Sequence, residues 1–176
     1  KYPVSLRVGE LDWAQVVAGG AALGVVVKDA KEQLRALPDG LSYGLLRYLN
    51  CDVDLDGPDP AIGFNYLGRL GAAAVENPGD TWRLSQDGVP APPLPMPLAH
   101  TVEVNAGTVD TPAGPALHAD WMWAPSVLDR ERVVRLGELW FAALGGICAH
   151  VRGGGGGLTP SDIVPARLSQ GELDEL

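Results

Sequence analysis

Leu98-Ala99-His100-Thr101-Val102-Glu103-Val104 and, further on, Leu117-His118-Ala119-Asp120-Trp121-Met122-Trp123 read as two strands of one sheet. In the first, Leu98, His100, Val102 and Val104 fall on one face, opposite Thr101 and Glu103. In the second, Leu117, Ala119, Trp121 and Trp123 oppose His118 and Asp120. A period of two is the mark of a half-buried strand. Asn105, Gly107, Asp110, Pro112 and Gly114 lie between the two runs and favour a chain reversal, so an antiparallel pair is predicted. On this reading His100 is a hydrogen-bonded core histidine, His118 and Asp120 are a solvated pair, and Trp121 and Trp123 belong to the core.

Working outward toward the C-terminus, Ser126, Asp129 and Glu131 mark a helix start. Val133, Leu136, Trp140, Leu144, Ile147 and Val151 then recur at helical spacing, predicting the longest helix of the chain, ended by Gly153 to Gly157. Five glycines that follow a helix, without the Gly-Lys-Ser/Thr of a phosphate loop, read as a flexible connector. Thr159-Pro160-Ser161-Asp162 then sets a cap residue, a proline at the first helical position and an acid at the third. Ser169-Gln170-Gly171-Glu172 repeats the capping spacing, so two short helical turns are predicted.

Toward the N-terminus, Ala72 to Pro97 is rich in proline, glycine and aspartate and predicts an extended surface loop, with a short strand around Trp82 to Leu84. Ile62-Gly63-Phe64-Asn65-Tyr66-Leu67-Gly68 reads as a strand edged by glycines, preceded by an acidic loop from Asp52 to Pro60. Two helices come before it. Leu23, Val26, Val27, Ala30, Leu34 and Leu37 make the first, stopped by Pro38-Asp39-Gly40, and Tyr43 to Leu49 makes the second. At the start, Val4, Leu6 and Val8 alternate against Ser5 and Arg7, so residues 1–8 are predicted as a strand, and its abrupt beginning reads as that of a fragment. The class that follows is α/β in the broad sense (α+β), a mixed sheet with helices packed on it.

At 46% hydrophobic and 20% charged, the 176 residues have the material for a buried core. The net charge of −9 and the lack of any Lys/Arg-rich run argue against a nucleic-acid partner. No uninterrupted apolar stretch approaches the ~20 residues of a membrane span, so no membrane partner is expected and the location is read as cytoplasmic. Cys51, Cys148 and the scattered His100, His118 and His150 lack metal-ligand spacing, so no metal is expected and the thiols read as reduced.

Three linked segments carry the specific content. Lys31-Glu32-Gln33-Leu34-Arg35-Ala36-Leu37-Pro38 leads into Tyr43-Gly44-Leu45-Leu46-Arg47-Tyr48-Leu49. Phe64-Asn65-Tyr66-Leu67-Gly68-Arg69 follows, and Leu158-Thr159-Pro160-Ser161-Asp162 with Leu168-Ser169-Gln170 closes the series. In order and approximate spacing these resemble the C-terminal half of an epimerization domain of nonribosomal peptide synthetases, within the condensation-domain superfamily. The resemblance implies a chloramphenicol-acetyltransferase-like half-domain over residues 1–152, with 153–176 as a glycine-rich connector and capped tail leading to the next synthetase domain. It also implies partners: the N-terminal half of the same domain, a peptidyl carrier protein and neighbouring synthetase domains.

The implied reaction inverts the α-carbon of a carrier-bound aminoacyl or peptidyl thioester, with no intrinsic cofactor and the phosphopantetheine arm as substrate carrier. The family's His-His-x-x-x-Asp-Gly motif and catalytic glutamate have no counterpart here, so neither Glu10, Glu32 nor Glu76 takes that role and the chain alone is expected to be inactive. What carries over is auxiliary: Asn65 and Tyr66 position the substrate or polarise the thioester, with Tyr66 a conceivable proton donor. Tyr43, Gly44, Arg47 and Gly68 are the implied substrate or carrier contacts, Gly68 by allowing close backbone approach. By residue type and position alone, Asn65 and Tyr66 can also be packing and cross-strand bonding residues, and Arg47 reads first as a partly exposed helix arginine. The alternatives are half of a condensation or acyl-carrier acyltransferase domain, or a non-catalytic carrier-docking module.

Overall fold

The computed structural model describes residues 1–55, 57–70, 98–163 and 169–174. The chain forms two compact units, residues 1–56 with 134–176, and residues 57–133. Helices occupy the first and a three-stranded sheet the second, which makes the fold α+β. The loop expected over Ala72–Pro97, with its short strand, lies outside the described residues.

In the helical unit, α1 (Trp13–Ala18) opens on Asp12, whose Oδ1 accepts from Ala14 N at 3.1 Å, and closes on Gly19 at φ 69°. That left-handed closure is cheap only for glycine, and a Cβ there would also press on the backbone of Gly146 and His150. Gly20 turns the chain straight into α2 (Ala21–Arg35), which buries Leu23 and Gly24. Pro38 stops α2, and Asp39 then caps α3 (Gly40–Leu49) by accepting from Leu41 N at 3.1 Å. The residues predicted to end one helix also begin the next.

The N-terminal alternation does not make a strand. Residues 1–11 join no ladder among the described residues. The backbone of Arg7 instead pairs with the Gln33 amide, N to Oε1 and O to Nε2, each at 2.8 Å. One side-chain amide on α2 supplies the donor and acceptor that a neighbouring strand would have supplied.

Residue 133 ends the sheet unit inside the long helix α4 (Arg130–Arg152), which Asp129 caps by accepting from Arg132 N at 2.8 Å. Of the predicted apolar face, Val133 is buried and Trp140, Leu144 and Ile147 half-buried, whereas Leu136 and Val151 are exposed. Burial in the helical unit instead centres on Gly146, where a Cβ would overlap the Val16 carbonyl. By length and composition α4 is also the one helix among the described residues that is apolar enough to cross a membrane. Cys51 and Cys148 are free and exposed.

After α4, the glycine run leads to the 3₁₀ turn η1 (Pro160–Asp162) and then α5 (Gln170–Asp174). Both predicted caps form. Asp162 Oδ2 accepts from Thr159 N at 2.9 Å, and Glu172 Oε2 accepts from Ser169 N at 2.7 Å. Thr159 is 1% exposed, and the turn is tied to α2 by a Lys31–Asp162 ion pair and a 2.6 Å bond from Ser161 Oγ to Glu32 Oε1. The Lys31 ammonium and the Thr159 backbone hold the Asp162 carboxyl at a pKa of about 2. The Ser161 hydroxyl is the main influence lowering that of Glu32.

In the sheet unit, β1 (Ile62–Leu70) runs parallel to β2 (Val102–Thr111), and β2 antiparallel to β3 (Gly114–Trp123), in the order β1-β2-β3. The central strand holds the core, with Val102, Val104 and Ala106 at 3%, 4% and 1% exposure. The antiparallel pair forms as predicted but is longer. Asn105, Gly107 and Asp110 are ladder residues, and the turn is only Pro112-Ala113. Trp121 and Trp123 are half-buried and not full core, while His118 and Asp120 are exposed. His100 lies just before β2, where its Nδ1 bonds the Pro60 carbonyl at 2.7 Å and its ring fills the space above Gly63.

Candidate functional site

The register of β1 against β2 decides what the Phe64–Arg69 motif presents. Phe64 stands opposite Val104, Asn65 opposite Asn105 and Tyr66 opposite Ala106. Successive strand residues alternate faces, so Tyr66 shares the face of Phe64, Val104 and Trp121, whereas Asn65 shares that of Asn105 and Asp120. The structure therefore brings Asn65 and Tyr66 together in sequence and separates their side chains across the sheet.

Each side chain is held by its neighbour on β2. Asn65 Nδ2 donates to Asn105 Oδ1 at 3.3 Å, and the Tyr66 hydroxyl bonds Thr108 Oγ1 at 2.9 Å. Tyr66 remains 54% exposed, with its ring open and only its hydroxyl oriented. Beyond it, three residues of β1 advance while β2 advances two, from Tyr66↔Ala106 to Arg69↔Thr108. This bulge places Gly68 at φ 76°, a conformation that glycine adopts without strain. Nothing lies within 4 Å of where its Cβ would be, so the demand on Gly68 among the described residues is conformational. The bulge also keeps Arg69 on the Tyr66 face, where its Nη2 reaches Asp110 Oδ1 at 2.6 Å and its Nε the same oxygen at 3.0 Å. Asp110 raises the Arg69 pKa, so the guanidinium stays charged.

Tyr43, Gly44 and Arg47 sit together on α3, in the other compact unit. Arg47 Nη1 donates to Tyr43 Oη at 2.5 Å, and its Cζ lies 5.8 Å and 5.7 Å from the Tyr43 and Tyr48 ring centres. Two aromatic faces thus hold one half-buried cation in place. Gly44 has nothing within 4 Å of a Cβ position. Sequence reasoning missed the partners that orient the motif: Asn105, Thr108 and Asp110. The period-two alternation continues past Val104 only as far as Ala106. Thr108 and Asp110 put polar groups on the face that is apolar before them, and Asn105 and Asp110 are of turn-favouring types, so the sequence carries little signal for these partners.

No family model and no solved structure matches the chain. Curated relatives do. The chain is 34% identical over 86% of its length to one of the linear gramicidin synthase proteins of Brevibacillus parabrevis. It is 32% identical over 88% to a second protein of the same synthase, and 29% identical over 98% to chondramide synthase of Chondromyces crocatus. The chain is a relative of nonribosomal peptide synthetases. This synthetase segment spans only 2%, 3% and 4% of the length of those three proteins. A stretch covering 86% of the chain takes in both α3 and the β1 motif wherever it begins.

Proposed function

We propose that the segment is the C-terminal half of an epimerization domain, converting a carrier-bound L-aminoacyl or peptidyl thioester to the D form. The observation that carries this reading is the Phe64-Asn65-Tyr66-Leu67-Gly68 element, in which cross-strand bonds orient two polar side chains and a glycine bulge ends their run. In the proposed reaction a base supplied by the upstream half removes the α-proton. The electron pair passes into the thioester carbonyl as an enolate, and a proton returns to the opposite face of the α-carbon. This half forms one wall of the tunnel for the phosphopantetheine arm, and its own residues position the acyl group. Asn65 and Tyr66 are the auxiliary residues of the reaction, and Tyr43, Gly44, Arg47 and Gly68 shape the substrate or carrier contact. No resident cofactor takes part, the location is cytoplasmic, and residues 153–176 lead to the next synthetase domain.

The test joins the segment to its upstream half and follows L-to-D conversion of a carrier-bound aminoacyl thioester by chiral chromatography. Asn65→Ala and Tyr66→Phe are expected to lower the rate by about tenfold or more, in line with the loss of a positioned polar group. Unchanged rates in both would remove the site assignment, and no conversion by the parent would remove the epimerase reading.

A second reading, carrier docking without chemistry, is favoured by α3. Leu41, Leu45, Tyr48 and Leu49 form one stripe of that helix and are 72%, 56%, 73% and 77% exposed. Carrier binding by the segment that Leu45→Glu abolishes, together with no L-to-D conversion by the joined halves, would favour this reading.

A further inference from the structure

The tail beyond α4 is held at two ends and sparsely packed between them. Through Gly155 the backbone still wraps onto α4, where Gly153, Gly154 and Gly155 N donate to the carbonyls of Ala149, Val151 and His150. Gly156 and Gly157 then turn at φ 120° and 97°, which glycine adopts without strain. At the far end every N–H of the turn η1 is bonded. Thr159 N donates to Asp162 Oδ2 at 2.9 Å and Ser161 N to Glu32 Oε1 at 3.3 Å. Asp162 N and Ile163 N donate to the Thr159 and Pro160 carbonyls. Between these ends little apolar surface is covered. Leu158 is exposed, and a cavity of about 130 Å³ lies between Val27, Ile147 and Val151 on the helices and Gly156, Gly157 and Thr159 on the tail.

We propose that residues 156–162 are a releasable strap over the groove between α2 and α4, caught on α2 by the Lys31–Asp162 ion pair and the Glu32–Ser161 hydrogen bonds. The balance of forces favours local release. A partly exposed ion pair contributes little and is screened by salt, and the glycines bury no side chain, so the catch opens while the helices stay packed. Thr159, at 1% exposure, seats the turn when the catch is closed. Gln170 Nε2 donates to the Leu158 carbonyl at 3.3 Å, so α5 travels with the strap. Resting on the reading of residues 153–176 as the lead to the next synthetase domain, the strap sets the reach of that lead. Closed, the chain departs from beside α2. Open, residues 156–162 join the tether and add an r.m.s. span of ~15 Å.

The experiment follows amide exchange by mass spectrometry in the intact protein, comparing peptides over 158–163 with peptides over α4. The turn amides are expected to exchange at least about tenfold faster than the buried amides of α4, yet far more slowly than an unstructured peptide. Lys31→Met should speed the turn amides by about two- to fivefold and leave those of α4 unchanged, and Lys31→Arg should restore the parent rate. Salt at about 1 M should speed the turn in the parent but not in Lys31→Met. The α4 peptides report in the same run that each variant is folded. Reach is read from spin labels on the exposed Cys51 and on Gly171→Cys, with Cys148→Ser, whose single narrow distance should broaden with Lys31→Met. Turn amides as slow as those of α4, or a Lys31→Met effect equal on both, would make the turn a fixed part of the fold. Exchange at the rate of an unstructured peptide would mean that no catch forms. Rates unmoved by salt and by Lys31→Met would remove the ion pair as the catch, and an unbroadened distance would remove the change of reach. L-to-D conversion by the joined halves is assayed separately, and its loss bears on the proposed function without touching the strap.

Discussion

Gly146 on α4 and Gly44 on α3 are both interior helix glycines, in the same compact unit, and they meet opposite surroundings. A Cβ on Gly146 would overlap the Val16 carbonyl, whereas a Cβ on Gly44 would meet nothing within 4 Å. The first glycine exists for a close crossing of α1 and α4 within the chain. The second costs helix stability and gains no contact within the described residues. The difference separates a glycine that serves the packing of this segment from one that no contact among the described residues accounts for. The stripe of Leu41, Leu45, Tyr48 and Leu49 beside Gly44 is likewise exposed.

The sharpest way to break this comparison is Gly146→Ala. It should destabilise the segment by about 3 kcal/mol, because the Val16 backbone must move to admit the methyl group. Equilibrium unfolding in denaturant measures it, and a loss near zero would mean that the α1–α4 crossing is loose. Next in size is Gly68→Ala on the β1 bulge, expected to cost about 1 to 2 kcal/mol through backbone strain alone, since φ is 76° and the space is open. Gly68→Asn, which tolerates the left-handed region better, should recover part of that loss.

A smaller effect concerns the tail clamp. The Asp162 carboxyl is depressed to about 2 in the folded chain, against about 4 in an unfolded one. Its stabilising contribution is therefore complete above pH about 4 and disappears as pH falls toward 2. The backbone amide shifts of residues 159–163 should titrate with a midpoint near 2, and a midpoint near 4 would dissolve the Lys31–Asp162 tie. The last prediction has the opposite sign. Gly44→Ala should stabilise the segment by up to about 1 kcal/mol through helix propensity. If the same variant weakens carrier binding or conversion in the intact domain, the open space above Gly44 is where another surface comes to rest.

Much of the local structure was legible because it rests on local rules. The helix α2, the strand β1 and both tail caps follow from periodicity and capping residues, which act within a few positions. The short α1 escapes such reading although Asp12 and Gly19 stand at its ends as cap residues. Six residues are too few to display a period. The N-terminal alternation misleads for a different reason: a strand is defined by its partner, and the partner of Arg7 is a side chain on α2. Asn105, Gly107 and Asp110 are of types that suit turns, yet the flanking ladder holds them extended. For the candidate site, the sequence pointed to Asn65, Tyr66 and Gly68 through a resemblance, and the residues that orient them came only with the register.

The sequence by itself determined the α+β class, the order of most elements and the kinship with peptide synthetases, since each depends on residue pattern along the chain. Only the tertiary structure decided that Asn65 and Tyr66 face opposite ways, that Gly68 is a bulge, and that Lys31 and Glu32 hold a turn far downstream. Those facts depend on which strand lies beside which and in what register. Period-two alternation announces two faces for a strand without saying what stands on either of them.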